Sequence, residues 1–213
     1  MPYHLSGLYG ITDQQLMPDS DCMLKSIERS LEGGTTVIQY RDKSTDQTKR
    51  LKQASSLKQL CDRYNAALLI NDDIQLAKQC GAAGVHLGQS DGSVTEARKI
   101  LGTEAIIGVT CHDSIELAVQ AHSEGADYVA FGAFFPSKTK PDAKPAPIDL
   151  IARVKSKVNL PIVAIGGITI DNAQQIITAG ADMVAVIHAL YAQDDIRKTA
   201  QNFHQLFNTD SER

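Results

Sequence analysis

The chain has 213 residues, enough for one large domain or two small ones, and 43% of them are hydrophobic, which suffices for a packed core. Against 25 acidic residues stand 21 basic ones, a net charge of -4, so the balance gives no long-range attraction toward nucleic acid or an anionic membrane and an anionic ligand must be held by local cations. The opening MPYHLSGLYGITD lacks a basic stretch followed by an apolar one, no segment approaches the roughly 18 apolar residues of a membrane span, and Cys22, Cys61, Cys80 and Cys111 form no CxxC grouping; the expectation is a cytoplasmic chain with reduced thiols.

In chain order the apolar, β-branched runs are LYGIT, TVIQY, ALLI, GVHLG, AIIGV, YVAFG, PIVAIG and MVAVI. Segments of helical period lie between and after them, at 21–31, 45–64, 74–79, 94–101, 115–123, 148–157, 172–178 and 194–207. Ser93 with Glu96 and Asp113 with Glu116 are candidate helix starts, because a side-chain acceptor there can serve the unpaired first amides. A weak repeat strengthens the pattern: EGGTTVIQY, CGAAGVHLG, EGADYVAFG and AGADMVAVI each put a glycine after a helix and then a buried strand. The alternation predicts a single (β/α)8 TIM barrel over residues 1–213, with 208–213 a disordered tail. The irregular stretch AFFPSKTKPDAKPAP, rich in proline and lysine, reads as an exposed loop of functional length.

In such a barrel the C-terminal ends of all strands meet on one face, where active sites are built. Gln39, Arg41 and Lys43 end the second strand, INDD the third and HLGQSD the fourth. Arg41 and Lys43 taken alone read as solvated charges; joined by Lys140 and the hydroxyls of Ser137 and Thr139 they form a polyphosphate cradle, Arg as a planar fork and Lys as a point charge. Asp73 directly precedes a helix and is assigned to capping, whereas Asp72 and Asp91 have the type and placement to share a hard divalent cation with phosphate oxygens. Gly166 and Gly167, with the backbone at Ile187, His188 and Ala189, match a second phosphate site after the seventh and eighth strands, or equally a tight turn. His86 taken alone reads as a core histidine with a satisfied ring, and Tyr9 as packing or a pocket wall.

YGITD, QYRDK, LLINDD, GVHLGQSD, GADYVAFGAFFPSKTK and IVAIGGIT occur in this order along nearly the whole chain and resemble the thiamine phosphate synthase family. The resemblance implies a transferase that joins 4-amino-5-hydroxymethyl-2-methylpyrimidine diphosphate to 4-methyl-5-(2-phosphoethyl)-thiazole with Mg²⁺. It makes Arg41, Lys43, Lys140 and Asn71 the pyrophosphate contacts and Asp72 and Asp91 the metal ligands. Gln39 would bind the aminopyrimidine with Tyr9, His86 and Thr110 nearby, and Ser137, Thr139, Gly167, Ile187 and His188 would hold the thiazole phosphate. It implies small-molecule substrates, no nucleic acid and no membrane, and allows a homo-oligomer. A thiazole tautomerase of similar sequence is the nearest rival, and a non-catalytic barrel that binds phosphorylated metabolites is a third reading.

Overall fold

The computed structural model describes residues 3–136 and 145–208. Eight parallel strands close into a barrel in sequence order: β1 (Gly7–Ile11), β2 (Thr35–Tyr40), β3 (Ala67–Asn71), β4 (Gly84–Leu87), β5 (Ile106–His112), β6 (Tyr128–Phe131), β7 (Ile162–Ile165) and β8 (Met183–Val186). Helices α1 (Ser20–Glu32), α2 (Gln47–Arg63), α3 (Ile74–Cys80), α4 (Val94–Leu101), α5 (Ile115–Ser123), α6 (Leu150–Lys155) and α7 (Ile170–Thr178) follow successive strands, and α8 (His188–Tyr191) and α9 (Ile196–Asn208) follow the last. The barrel inferred from βα alternation is the fold observed. Among the described residues no helix is long and apolar enough to cross a membrane.

Strand periodicity sorts the core into two layers. Leu8, Ile38, Leu68, Ile70, Val85, Ile107, Val129, Phe131, Val184 and Val186 face outward and pack with the helices, while Tyr9, Ile11, Val37, Ala67, Leu69, Ile106, Tyr128, Ala130, Val163, Met183 and Ala185 fill the barrel. By the same parity Gln39, Asn71, His86 and Thr110 fall on the inner face near the strand ends.

The helix starts are set by side-chain caps. Asp19, Asp46, Asp73, Ser93 and Ser114 each accept a hydrogen bond from the amide three residues on, which satisfies a donor that the helix leaves unpaired. Thus the capping roles of Asp73 and Ser93 hold, but at α5 the cap is Ser114 and not Asp113. Its hydroxyl also donates to Glu116 at 2.8 Å. α7 begins two residues before the expected start because Thr169 and Asn172 form a reciprocal capping box. The four-residue α8 is too short to show a period in sequence. Asn208, assigned to the tail, ends α9, and 209–213 lie outside the described residues.

Candidate active site

At the ends of β2, β3 and β4 the structure brings together Lys43, Asn71, Asp72 and Asp91. Lys43 Nζ lies 3.0 Å from Asp72 Oδ2, and Asn71 Nδ2 donates to the same oxygen at 2.5 Å. Asp72 sits in the left-handed region at φ 64°, which aspartate tolerates better than most residues, and its amide donates to the His86 carbonyl at 2.8 Å. That backbone turn aims its carboxylate at Asp91, which arrives from the loop after β4. Gly88 makes room, since a Cβ there would collide with Asp91 Oδ2. Burial, then the Asp72 charge and a hydrogen bond shared with it, push the Asp91 carboxyl above its usual range. Two carboxylates left to share one proton or one cation suit a divalent metal that takes further oxygens from phosphate. Among the described residues no group of three or more metal-ligating side chains is present. The donor type of the adjacent Asp72 and Asp91 carboxylates, two hard oxygens beside room for phosphate, fits what Mg²⁺ takes from a protein.

A cleft of about 470 Å³ opens beside this cluster, lined by Lys43, Asn71, Asp72 and Asp91 together with Asp42, Ser44, Arg50, Asp73 and Glu96. Asp42, given no role in the sequence reading, organises its edge. Its side chain is 2% exposed, pairs with Lys49 at 3.1 Å, and accepts from the Ser44 amide at 2.6 Å and the Tyr40 hydroxyl at 3.3 Å. Burial opposes its charge, but the Ser44 hydrogen bonds and the Lys49 ammonium prevail and hold its carboxyl below the usual range. Flanked by Arg41 and Lys43, it pins the loop that carries both cations. The Arg41 amide donates to Thr12 Oγ1 at 2.8 Å, and its guanidinium meets no partner among the described residues.

Deeper in the barrel, Gln39, Tyr9, His86 and Thr110 belong to one hydrogen-bonded chain, joined by a residue that the sequence reading passed over, Tyr128. Tyr9 and Tyr128 are buried, and burial raises both hydroxyls far above ordinary tyrosine. Burial also lowers His86 to about 4, the nearby Asp72 charge opposing it, so its imidazole is neutral near pH 7. Tyr128 and Ala130 point inward and Val129 and Phe131 outward, but all four residues of YVAF are buried, so the sequence carried no signal that told the two faces apart.

On the ends of β7 and β8, Gly166 and Gly167 take φ 98° and 63°, and side chains at either would collide with residues 133–136. The Phe134 and Phe135 amides donate to the Ile165 and Gly166 carbonyls at 3.1 and 3.0 Å. The glycines thus have a packing reason of their own. Still, the amides of Gly167, His188 and Ala189 have no acceptor among the described residues, and Ile187 leads directly into α8. Ser137, Thr139 and Lys140 lie outside the described residues.

Residues 8–190 match a family described as thiamine monophosphate synthase. A thiamine-phosphate synthase of Saccharophagus degradans (strain 2-40) is 52% identical over 201 residues, which are 94% of this chain and 93% of that protein. Among solved structures, thiamine phosphate pyrophosphorylase from Pyrococcus furiosus superposes with a TM-score of 0.87 at 33% identity, covering 96% of both chains. A 3-hexulose-6-phosphate synthase from Salmonella typhimurium, at 19% identity and TM-score 0.69 over 95% of this chain and 99% of its own, shares the fold alone. With the match running through β2, β3 and β4 and the charged residues at their ends, the chain belongs to the thiamine monophosphate synthase family of transferases.

Proposed function

We propose that the chain condenses 4-amino-5-hydroxymethyl-2-methylpyrimidine diphosphate with 4-methyl-5-(2-phosphoethyl)-thiazole, giving thiamine phosphate and pyrophosphate. The observation that carries this reading is the meeting of Lys43, Asn71, Asp72 and Asp91 at one lip of the barrel. A thiazole tautomerase would have no diphosphate to neutralise and no use for that cluster.

In this reading the C–O bond to diphosphate breaks first, the aminopyrimidine delocalises the cation, and the thiazole nitrogen captures it. No side-chain nucleophile takes part. Arg41, Lys43 and Lys140 bind the departing pyrophosphate as preplaced cations, each contributing on the order of 2 to 4 kcal/mol where water is excluded. Asn71 donates to it through the amide that now faces Asp72. Asp72 and Asp91 would hold Mg²⁺, which when bound supplies positive charge against that developing on the leaving group. Gln39, with Tyr9, His86 and Thr110 behind or beside it, orients the pyrimidine. The amides of Gly167 and His188, with Ile187, Ser137 and Thr139, hold the thiazole phosphate, and orientation of the two rings supplies much of the remaining acceleration. The four cysteines are free thiols, in keeping with a cytoplasmic setting.

The test mixes both substrates with Mg²⁺ and follows pyrophosphate and thiamine phosphate. Equimolar release of both is expected. Folded chain that binds each substrate yet releases neither product would end this reading in favour of a binding protein.

A further inference from the structure

Inside the barrel, side chains from β2, β1, β6, β4 and β5 make one continuous chain of hydrogen bonds. Gln39 Nε2 donates to the Tyr9 hydroxyl at 2.7 Å, the Tyr9 and Tyr128 hydroxyls are 3.0 Å apart, Tyr128 meets His86 Nδ1 at 2.7 Å, and His86 Nε2 meets Thr110 Oγ1 at 2.8 Å. Each hydroxyl has one hydrogen, and a neutral imidazole has one N–H. Fixing the direction of one link therefore fixes all the others.

The Gln39 amide sets that direction. The Tyr9 oxygen accepts from Nε2, and the Tyr9 hydrogen then has a single acceptor among the described residues, the Tyr128 oxygen. Tyr128 must pass its own hydrogen to Nδ1 of His86, so the imidazole proton resides on Nε2 and is donated to Thr110. The two ends are left with defined characters. Gln39 keeps Oε1, an acceptor with no partner among the described residues, and Thr110 keeps a hydroxyl hydrogen not used in the chain. Turning the amide over would reverse every link and leave an N–H at one end and a lone pair at the other.

We propose that the polarity of this buried chain, relayed by Tyr128, selects an aminopyrimidine over its oxo counterpart. The Gln39 carbonyl accepts from an exocyclic amine while the Thr110 hydroxyl donates to a ring nitrogen; a 4-oxopyrimidine, with a carbonyl and a ring N–H, presents the opposite pattern. The inference rests on the proposed pyrimidine diphosphate substrate. Tyr128 is a positioning residue: it is 0% exposed, stacks on His86 with ring centroids 5.6 Å apart, and meets Tyr9 edge to face at 6.2 Å. β5 is shaped for it. A Cβ on Gly108 would land inside the Tyr128 ring, so the strand carries no side chain where the ring crosses. A polar group buried this deeply keeps its position only when its links are all made, and here every link is.

Nitrogen-15 NMR of the ligand-free full chain with labelled histidine reads the polarity directly, the His86 signal being assigned by its loss in His86→Gln. The expected result is a proton on Nε2 and a bare Nδ1; a proton on Nδ1 overturns the proposal whatever the chain's activity. Dissociation constants for the 4-amino diphosphate and its 4-oxo analogue, measured without the thiazole, give the second reading. The parent chain should prefer the amine by at least about 100-fold, since a site built for one hydrogen-bond pattern leaves buried groups unpaired against the other, and Tyr128→Phe should reduce that to below about 10-fold. Affinity for the thiazole phosphate should not change. An undiminished preference in Tyr128→Phe overturns the relay, and should that variant not fold, the tautomer in the parent chain decides. Absence of thiamine phosphate formation by a chain with the expected tautomer and preference would count against the proposed reaction, not against the polarity.

Discussion

In the barrel interior, Tyr9 and Tyr128 are 1% and 0% exposed and each hydroxyl meets its partners within 3.0 Å, whereas at the lip the Lys43 side chain is 61% exposed and Asp72 faces a second carboxylate. The interior is neutral and its tyrosines and histidine are fully linked without ligand, only the two ends of the chain, Gln39 Oε1 and the Thr110 hydroxyl hydrogen, being left for one. The lip is charged and frustrated without one. Polar groups enclosed by protein must satisfy one another, since an unmade buried hydrogen bond costs about 1 to 3 kcal/mol, while groups open to water can be held in poor arrangements until a ligand repairs them. The interior should accordingly govern stability and recognition, and the lip turnover.

The largest effect expected is on turnover at the lip. Asp91→Asn keeps the shape and removes one of the two crowded carboxylates, so kcat should fall by about 100- to 1,000-fold at saturating Mg²⁺. Thermal unfolding of the ligand-free variant should come no earlier than in the parent, because a repulsion with Asp72 has been relieved. Steady-state kinetics and a melting curve check both halves. Unchanged kcat would remove Asp91 from the metal site.

The interior should show instead as pH-dependent stability. Burial lowers His86 to about 4, Asp72 opposing it, while an unfolded histidine titrates near 6.5. The unfolded chain therefore takes up the proton first. The contribution is whole above about pH 6.5 and is lost as pH falls toward about 4, amounting to about 3 kcal/mol. Urea unfolding across that window measures it, and His86→Gln should flatten the dependence; an equally steep profile in the variant would place the sensitive group elsewhere. Next in size is Gly108→Ala. Its methyl group meets the Tyr128 ring, a case of overpacking that costs about 1 to 3 kcal/mol in the same denaturation assay.

The two regions also differed in how far the sequence disclosed them. The strands were readable because each is a short apolar, β-branched run between segments of helical period, and their regular succession points to a barrel; since these strands are buried on both faces, inward and outward facing came only with the structure. Lip residues were readable as types, because charges at apolar strand ends break that pattern. Their pairing was not. That Asp72 leans on Lys43 and crowds Asp91 depends on a left-handed turn that no local preference announces. Tyr128 failed for the reverse reason: a tyrosine in YVAF looks like any apolar core residue, and its value lies in contacts with residues 119 and 42 positions away in the chain. Asp42 was hidden between two cations that drew attention to themselves, although it is the buried member of the three.

The smallest stability effect should come from the lip's own ion pair, and it separates the regions most cleanly. Lys43 and Asp72 are 3.0 Å apart, but with the lysine largely in water their attraction is screened and is offset by the entropy of holding a long side chain. Lys43→Met should thus shift unfolding free energy by less than about 1 kcal/mol. Losing a preplaced cation from the leaving group should nonetheless lower kcat by about 100-fold. Denaturation and kinetics on the one variant give both numbers. A stability loss as large as that of Gly108→Ala, with turnover intact, would make Lys43 a structural partner of Asp72 and move the pyrophosphate contacts to Arg41 and to the segment beyond Pro136.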